Sequence, residues 1–557
     1  MIRIGNASGF YGDRFAALKE MLTGGELDVL TGDYLAELTM LILGRDRMKD
    51  PDRGYARTFL RQLEEGLGLA VDKGVTIVTN AGGLNPAGLA RAVRELAERT
   101  GLDVKVSHVE GDDLLARGFE GALTANAYLG CWGIVECLNA GADVVVTGRV
   151  TDASLVVGPA AAHHGWGRDD FDALAGATVA GHVIECGTQA TGGNFAFFTE
   201  LADLAYPGFP IAEIDADGSA VITKHAGTGG AVTVETVTAQ LLYEIGGPRY
   251  LGPDVTSRFD TIELAGAGPD RVGISGVRGE APPETVKVCV NTLDGFRNSM
   301  TFVLCGLDIE AKAALARRQL TDAVGAEGLH WTLARTDHED AETEQTASAL
   351  LHVTIKTPDP QRAKAFSRAS VELALASYPG FTLTSPPADG TPVGVYRPEY
   401  VPQQSIEQVA VLPNGERRPI PPPPNLASPT LPTRESNAAD ARVQHSGPTR
   451  RVPLGTIAGA RSGDKGGDAN LGVWVRDPAA YPWLARELTT DRLRELLPEA
   501  KDLDIERHPL PNLDAVNFVL HGLLGQGVAA STRFDPQAKS LGEWLRSRLV
   551  DVPEALL

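Results

Sequence analysis

DVVVTGRVTDASL, residues 143–155, passes from three consecutive valines almost directly to a permanent cation, Arg149, and a carboxylate, Asp152. A β-branched run this apolar reads as an inner strand of a parallel sheet, covered on both faces. Working outward, similar short runs recur as IRIG (2–5), LDVLTG (27–32), VTIVTN (75–80) and DVKVSHV (103–109). Between them lie amphipathic stretches such as YARTFLRQLEEGLGLAVDKG (55–74) and PAGLARAVRELAERTG (86–101), each closing on a glycine as helices often do. Strands alternating with helices imply an α/β fold, a parallel doubly wound sheet in the N-terminal region.

Further along, the texture changes. From about residue 205 to 280, glycine turns punctuate short strands, so residues 1–280 read as one α/β domain with a β-rich extension. Residues 281–385 read as strand, strand, helix, strand, strand, helix, an α+β subdomain. The stretch 386–450, with RRPIPPPPNLASPTLPT, is too poor in apolar residues to bury a core and reads as a proline-rich linker. Residues 451–557 resume the apolar patterning of a small α+β domain.

The bulk numbers narrow the function. A 557-residue chain that is 43% hydrophobic has material for several cores. A net charge of -21 repels phosphate backbones and anionic membranes, which argues against nucleic-acid or membrane partners. Five scattered cysteines without a CxxC pair, no signal-peptide pattern and no long apolar run point to the cytoplasm. No GxGxxG stands in a strand-to-helix context, so a nicotinamide or flavin cofactor is not expected. A large acidic chain of this kind is expected to form a homo-oligomer.

Ligands of open parallel sheets bind beyond the carboxyl ends of the strands. There this chain places Asn6, Ser8 and Asp13; Asp33 and Glu37; Asn80 and Asn85; His108, Glu110, Asp112 and Asp113; and Thr147, Arg149, Asp152 and Ser154. Arg149 cannot shed its proton and demands an anion. Either Asp152 is that anion, or Arg149 faces a ligand while Asp152 caps the next helix near Leu155; the strand-end position favours the second. Asn85 and Pro86 suit a helix start, and the turn at Gly82 and Gly83 is expected to present N–H groups to an anion. In HVIECGTQATGGNF (182–195), read as a strand, Glu185 is a candidate base, Thr188 a substrate contact and Cys186 a core residue. His108, Glu110 and Asp112 alternate along one strand end, but without HExxH or paired-histidine spacing no metal is assigned. Arg461, Ser462 and Lys465, in the glycine-rich ARSGDKGGDANLG (460–472), are read as a loop suited to phosphate or the pantetheine end of a carrier.

IGNASGFYGDR (4–14), TNAGGLNP (79–86), ANAYLGCWGIVECLNAGADVVVTGRVTDASLVVGPAAAHHGW (125–166), HVIECGTQATGGNF (182–195) and RSGDKGGDAN (461–470) together resemble the acyclic terpene utilisation family, AtuA-like. The resemblance spans nearly the whole chain. It implies a large α/β region followed by a ferredoxin-like C-terminal domain, and a place in the catabolism of branched acyclic terpenoids such as citronellol and geraniol through acyl-CoA intermediates. It assigns no catalytic residues. Combined with the residues, it implies an enzyme acting on an acyl-CoA or related carboxylate by acid–base chemistry (hydration, lyase or thioester chemistry) without a cofactor, the CoA thioester being part of the substrate. Arg149 would bind the carboxylate or thioester oxygen, Asn80 to Gly83 would donate N–H groups, Glu185 or His108 would move protons, and Asn6 and Asp152 would orient them. The rival readings are a noncatalytic subunit or scaffold for an acyl-CoA carboxylase or hydratase, and a metal-dependent hydrolase.

Overall fold

The computed structural model describes residues 1–427 and 447–557; residues 428–446, within the expected linker, lie outside the described residues. The described chain packs as two compact units, one gathering Met1–Asn291, Tyr396–Val528 and Asp535–Leu557, the other Thr292–Val395 and Ala529–Phe534.

In the first unit the apolar runs become strands β1 (Ile2–Asn6), β2 (Val29–Gly32), β3 (Thr76–Thr79), β4 (Val106–Glu110), β5 (Ala122–Ala127) and β6 (Val144–Thr147). Five of them lie parallel in the order β1-β2-β3-β6-β4. The amphipathic stretches form α1 (Ala17–Gly24), α2 (Glu37–Lys49), α3 (Arg57–Lys73) and α4 (Pro86–Thr100), followed by α5 (Trp132–Asn139), α6 (Ser154–His164) and α7 (Phe171–Ile184). Helices α3 and α4 stop at Gly74 and Gly101, both left-handed, and Asn85 caps α4 by accepting from the Gly88 N–H at 2.9 Å. One core joins α1, α3 and α4 to the sheet, and a separate core joins α5, α6 and α7 to it. Chain order reverses where β6 inserts between β3 and β4, so the strand preceding Arg149 sits at the turning point of the topology.

The sheet is not purely parallel, as the sequence suggested. β7 (Pro210–Ile214) pairs antiparallel with β1, β8 (Ala220–Lys224) with β7, and Val272–Ser275 and Glu263–Gly266 extend that edge. The expected β-rich extension is thus largely part of the main sheet. A tight turn in which the Asp215 N–H donates to the Ser219 carbonyl suffices for the β7–β8 pair, because antiparallel strands need no crossover helix. At the opposite edge Val409–Val411 pairs antiparallel with β4 and Arg417–Pro419 follows, so part of the stretch read as linker is strand. The run read as a strand around Glu185 is instead the end of α7, then a short turn of helix at Gly187–Thr191. Every residue from Ala173 to Ile184 is buried, so this helix lacks the polar face that marks helices in sequence.

The two strands expected at 284–291 and 299–306 are one continuous strand, Thr285–Cys305, which starts in the first unit; its later part, in the second unit, pairs with Ser348–Thr357. The helices Ile309–Val324 and Pro360–Glu372 complete that unit.

The C-terminal segment of the first unit has its own core around Leu471, Phe518 and Leu520. Its antiparallel sheet runs Ala458–Lys465, Asp468–Val475, Ala515–Leu520, Ile505–Leu510. The glycine-rich run read as a loop is strand as far as Lys465, and only Gly466 and Gly467 turn the hairpin. Its glycines serve close approach. A Cβ on Gly472 would meet the Leu242 Cβ at 2.5 Å and carbonyl at 3.0 Å, just beyond α8 (Val234–Leu241). Among the described residues no helix is long and apolar enough to cross a membrane.

Gly472→Ala is expected to cost about 1 to 3 kcal/mol through overpacking, whereas Gly68→Ala, in α3 with nothing near its missing Cβ, is expected to gain about 0.5 to 1 kcal/mol through helix propensity. Urea unfolding of both variants checks the pair; equal effects would contradict the close-packed hairpin.

Candidate functional site

Two strands of the parallel core and one helix end bring three carboxylates together. Asp33 follows β2, Asp152 follows β6 and Glu185 follows α7, and each places a carboxylate oxygen within 4.8 Å of the others. Each is held by a neighbour. Asn80, at the end of β3, donates from Nδ2 to Asp33 Oδ1 at 2.6 Å, while its own oxygen accepts from the Tyr34 N–H. Asn6, at the end of β1, donates to the carbonyls of Ile184 and Glu185, both at 2.8 Å, and so fixes the end of α7. His182 lies one helical turn before Glu185, with Nδ1 3.2 Å from Oε1.

Arg149 is the third holder, and here the expectation of a ligand-facing guanidinium is corrected. Its side chain is 2% exposed and ion-paired to Asp152, Nη1 also donates to the Val150 carbonyl at 3.2 Å, and the guanidinium stacks 4.2 Å above the Tyr128 ring. A buried cation loses its hydration and must be satisfied locally, so Arg149 is committed to Asp152 and Tyr128. Asp152 in turn caps no N–H near Leu155; α6 has no side-chain cap.

Burial raises the pKa of all three carboxyls: Asp152 pushes Asp33 and Glu185 further up, and Arg149 only partly offsets this. Burial likewise pushes the His182 imidazole down to about 4 and holds the Cys186 thiol well above its ordinary range, which disfavours Cys186 as a nucleophile.

Further charged groups lie near the three, Glu37 and Glu244 close to Asp152 and Lys465 close to Glu185. Lys287 lies 3.3 Å from Glu37 and 4.8 Å above the Tyr128 ring. From the C-terminal hairpin Lys465 donates to the Glu244 carbonyl at 2.9 Å, and Lys539 pairs with Glu244 at 2.9 Å and Asp464 at 3.4 Å. Burial, with Lys287 adding to it, lowers the Lys465 pKa, yet the residue is exposed. Asp152 and Lys287 each keep 30% of their side-chain surface accessible although burial dominates their electrostatics. Asp152, Lys287 and Lys465 are therefore crowded by neighbouring atoms yet keep part of their surface in contact with solvent. A separate cleft lined by Trp132, Arg168, Asp254 and Pro421 contains none of the three carboxylates.

The remaining sequence-predicted residues divide. Thr147 is buried and donates to the Gly148 carbonyl at 3.0 Å, and the Ser154 and Thr151 hydroxyls bond each other at 2.5 Å. Ser8 donates to the Phe10 carbonyl, and the Thr188 carbonyl accepts from Thr191 and Gly193. Gly83 spends its N–H on the Asn80 carbonyl, and a Cβ on Gly82 would meet the Thr147 carbonyl at 2.4 Å, so this turn serves backbone packing. His108 is not brought to the centre. It pairs with Glu110 at 2.9 Å, and Glu110 pairs with Arg417. Asp112 does not join that pair; it accepts from the Arg149 N–H and from Asn126. Arg461 lies over the Tyr243 ring and donates to the Asn194 carbonyl, and Ser462 accepts from the Gly542 N–H. Of the predicted hairpin residues Lys465 lies close enough to Glu185 to lower its pKa.

Asp33 and Glu37 were visible as polar strand exits, but their role was not. Lys287 and Glu244 were missed, although a lone lysine in the apolar strand ETVKVCVN was a usable signal.

Burial alone would raise Glu37, but Lys287 and Arg149 outweigh it and hold its carboxyl at about 2. A carboxyl depressed on folding stabilises above its unfolded pKa and loses that contribution as pH falls toward the folded value. Glu37→Gln is therefore expected to be destabilising at about pH 7, with the difference from the parent shrinking between about pH 4.5 and about pH 2. Denaturant unfolding across that range checks it; a pH-independent difference would contradict the pairing.

A family model described as "Acyclic terpene utilisation family protein AtuA" matches residues 2–412, and one described as "AtuA ferredoxin-like domain" matches residues 452–551. Neither a curated protein nor a solved structure matches the chain.

Proposed function

The chain belongs to the acyclic terpene utilisation family AtuA, and on that premise we propose that it is a cytoplasmic enzyme of branched acyclic terpenoid catabolism, acting on an acyl-CoA or related carboxylate by acid–base chemistry. The observation that carries this reading is the convergence of Asp33, Asp152 and Glu185, with Lys465 close enough to act on Glu185 and Lys287 paired to the neighbouring Glu37.

Three carboxylates facing accessible lysines suit proton transfer to and from carbon or oxygen next to a carbonyl, the chemistry of hydration, elimination and carbon–carbon cleavage. Asp152, the most accessible of the three, moves the proton. Lys465 and Lys287 meet the negative charge of a carboxylate or of a developing enolate, the task that Arg149 is too enclosed to perform. Arg149 instead holds Asp152 in place, Asn80 holds Asp33, and Asn6 holds the backbone of Glu185. Because Lys465 comes from the C-terminal hairpin, the site is complete only with that domain docked.

The test is product analysis by mass spectrometry after incubating the full chain with branched acyl-CoA thioesters and their free acids. Turnover is expected, and Lys465→Met and Asp152→Asn are each expected to reduce it by at least about a hundredfold, with the circular dichroism of Lys465→Met unchanged. Absence of both turnover and a ligand-induced thermal shift across the panel, or full activity of Lys465→Met, would overturn the reading.

A further inference from the structure

We propose that Asp33, Asp152 and Glu185 form a binding site for one hard divalent cation of the Mg²⁺ or Mn²⁺ class. The sequence offered no such site, because its three ligands are 119 and 33 residues apart and lack any short-range spacing.

The geometry has the form of a ligand set with supporting contacts. Two of the carboxylates are held by one oxygen, Asp33 Oδ1 by Asn80 and the Leu35 N–H and Asp152 Oδ1 by Arg149, while His182 Nδ1 lies 3.2 Å from Glu185 Oε1 without a hydrogen bond. Such outer contacts orient carboxylates toward a metal and leave the second oxygen for it. Glu185 provides an independent sign of a ligand. The residue is 8% exposed, and its Oε2 is buried with no hydrogen-bond partner. A buried carboxylate oxygen without a partner is costly and is ordinarily met by a donor or a cation. Charge points the same way. Arg149 is the only cation paired with the three carboxylates among the described residues, so two negative charges are left over when all three are ionised. All three ligands are carboxylate oxygens, which favours Mg²⁺ or Mn²⁺ over softer ions, and three protein ligands leave positions for water or substrate.

The inference concerns the same centre as the proposed function and, with the cation bound, gives Asp152 a ligand's role in place of the proton transfer assigned there. Any part the cation plays in turnover rests on that reading; its binding does not.

The experiment titrates Mn²⁺ into chelator-treated full-length chain and follows free Mn²⁺ by electron paramagnetic resonance. One Mn²⁺ per chain is expected, displaced by Mg²⁺. Glu185→Gln and Asp33→Asn, two near-isosteric variants in case one fails to fold, are each expected to weaken binding by at least about tenfold, whereas Glu110→Gln, outside the centre, leaves it unchanged. Binding far below one per chain at millimolar Mn²⁺, parent-like affinity in the folded variants, or equal loss in Glu110→Gln would overturn the site. Mn²⁺ binding without turnover of any acyl-CoA would count against the functional reading alone, and turnover without Mn²⁺ binding against this inference alone.

Discussion

Three carboxylates cannot share a space of 4.8 Å inside a protein without something to offset their mutual repulsion and lost hydration. In this chain one guanidinium, sealed between Asp152 and Tyr128, supplies part of that offset. Much of the surrounding structure holds the arrangement in place. Asn6 ties the end of α7 to the end of β1, Asn80 ties the end of β3 to Asp33, and the Asp112 carboxylate fixes the Arg149 backbone. A cluster this expensive persists in a folded domain because its surroundings over-determine it, which is the usual condition of a functional centre.

The parallel core explains where the cluster lies. β6 inserts between β3 and β4, so the polar exits of β2, β3 and β6 share the end of the sheet at which chain order reverses. The C-terminal hairpin then brings Lys465 up to Glu244, and its close seat depends on the small size of Gly463 and Gly472 against Tyr243 and Leu242. The three carboxylates belong to the parallel core and Lys465 to the C-terminal antiparallel sheet.

The parallel strands, the caps at Asn85, Gly74 and Gly101, and the importance of the strand exits were legible because each is a local signal: an apolar run, a turn residue, a polar residue after a strand. Short strands were legible at 205–280, but neither their place at one sheet edge nor the strands within the stretch read as linker were, since edge pairing depends on where the chain returns and not on its local pattern. α7 was misread at its end because a helix buried all round shows no periodicity. In the centre, Asp152 was legible as a strand exit and Glu185 only as a carboxylate beside a thiol. Arg149 was singled out, but which way a guanidinium turns is decided by tertiary neighbours such as Tyr128. Asp33, Lys287 and Glu244 come from separate segments that only the fold unites, and His108, legible as a polar exit, belongs to a separate ion pair with Glu110.

The central claim is that the site bordered by Asp152 and Lys465 receives an anionic carbonyl compound. A crystal structure of the full chain saturated with a branched acyl-CoA, or with its free acid, tests it most directly. The account predicts electron density for the carboxylate or thioester between the Asp152 carboxylate and the Lys465 ammonium, with Arg149 still paired to Asp152. Density for the guest only in another cleft, or a site that stays filled by its own side chains at saturation, would contradict it.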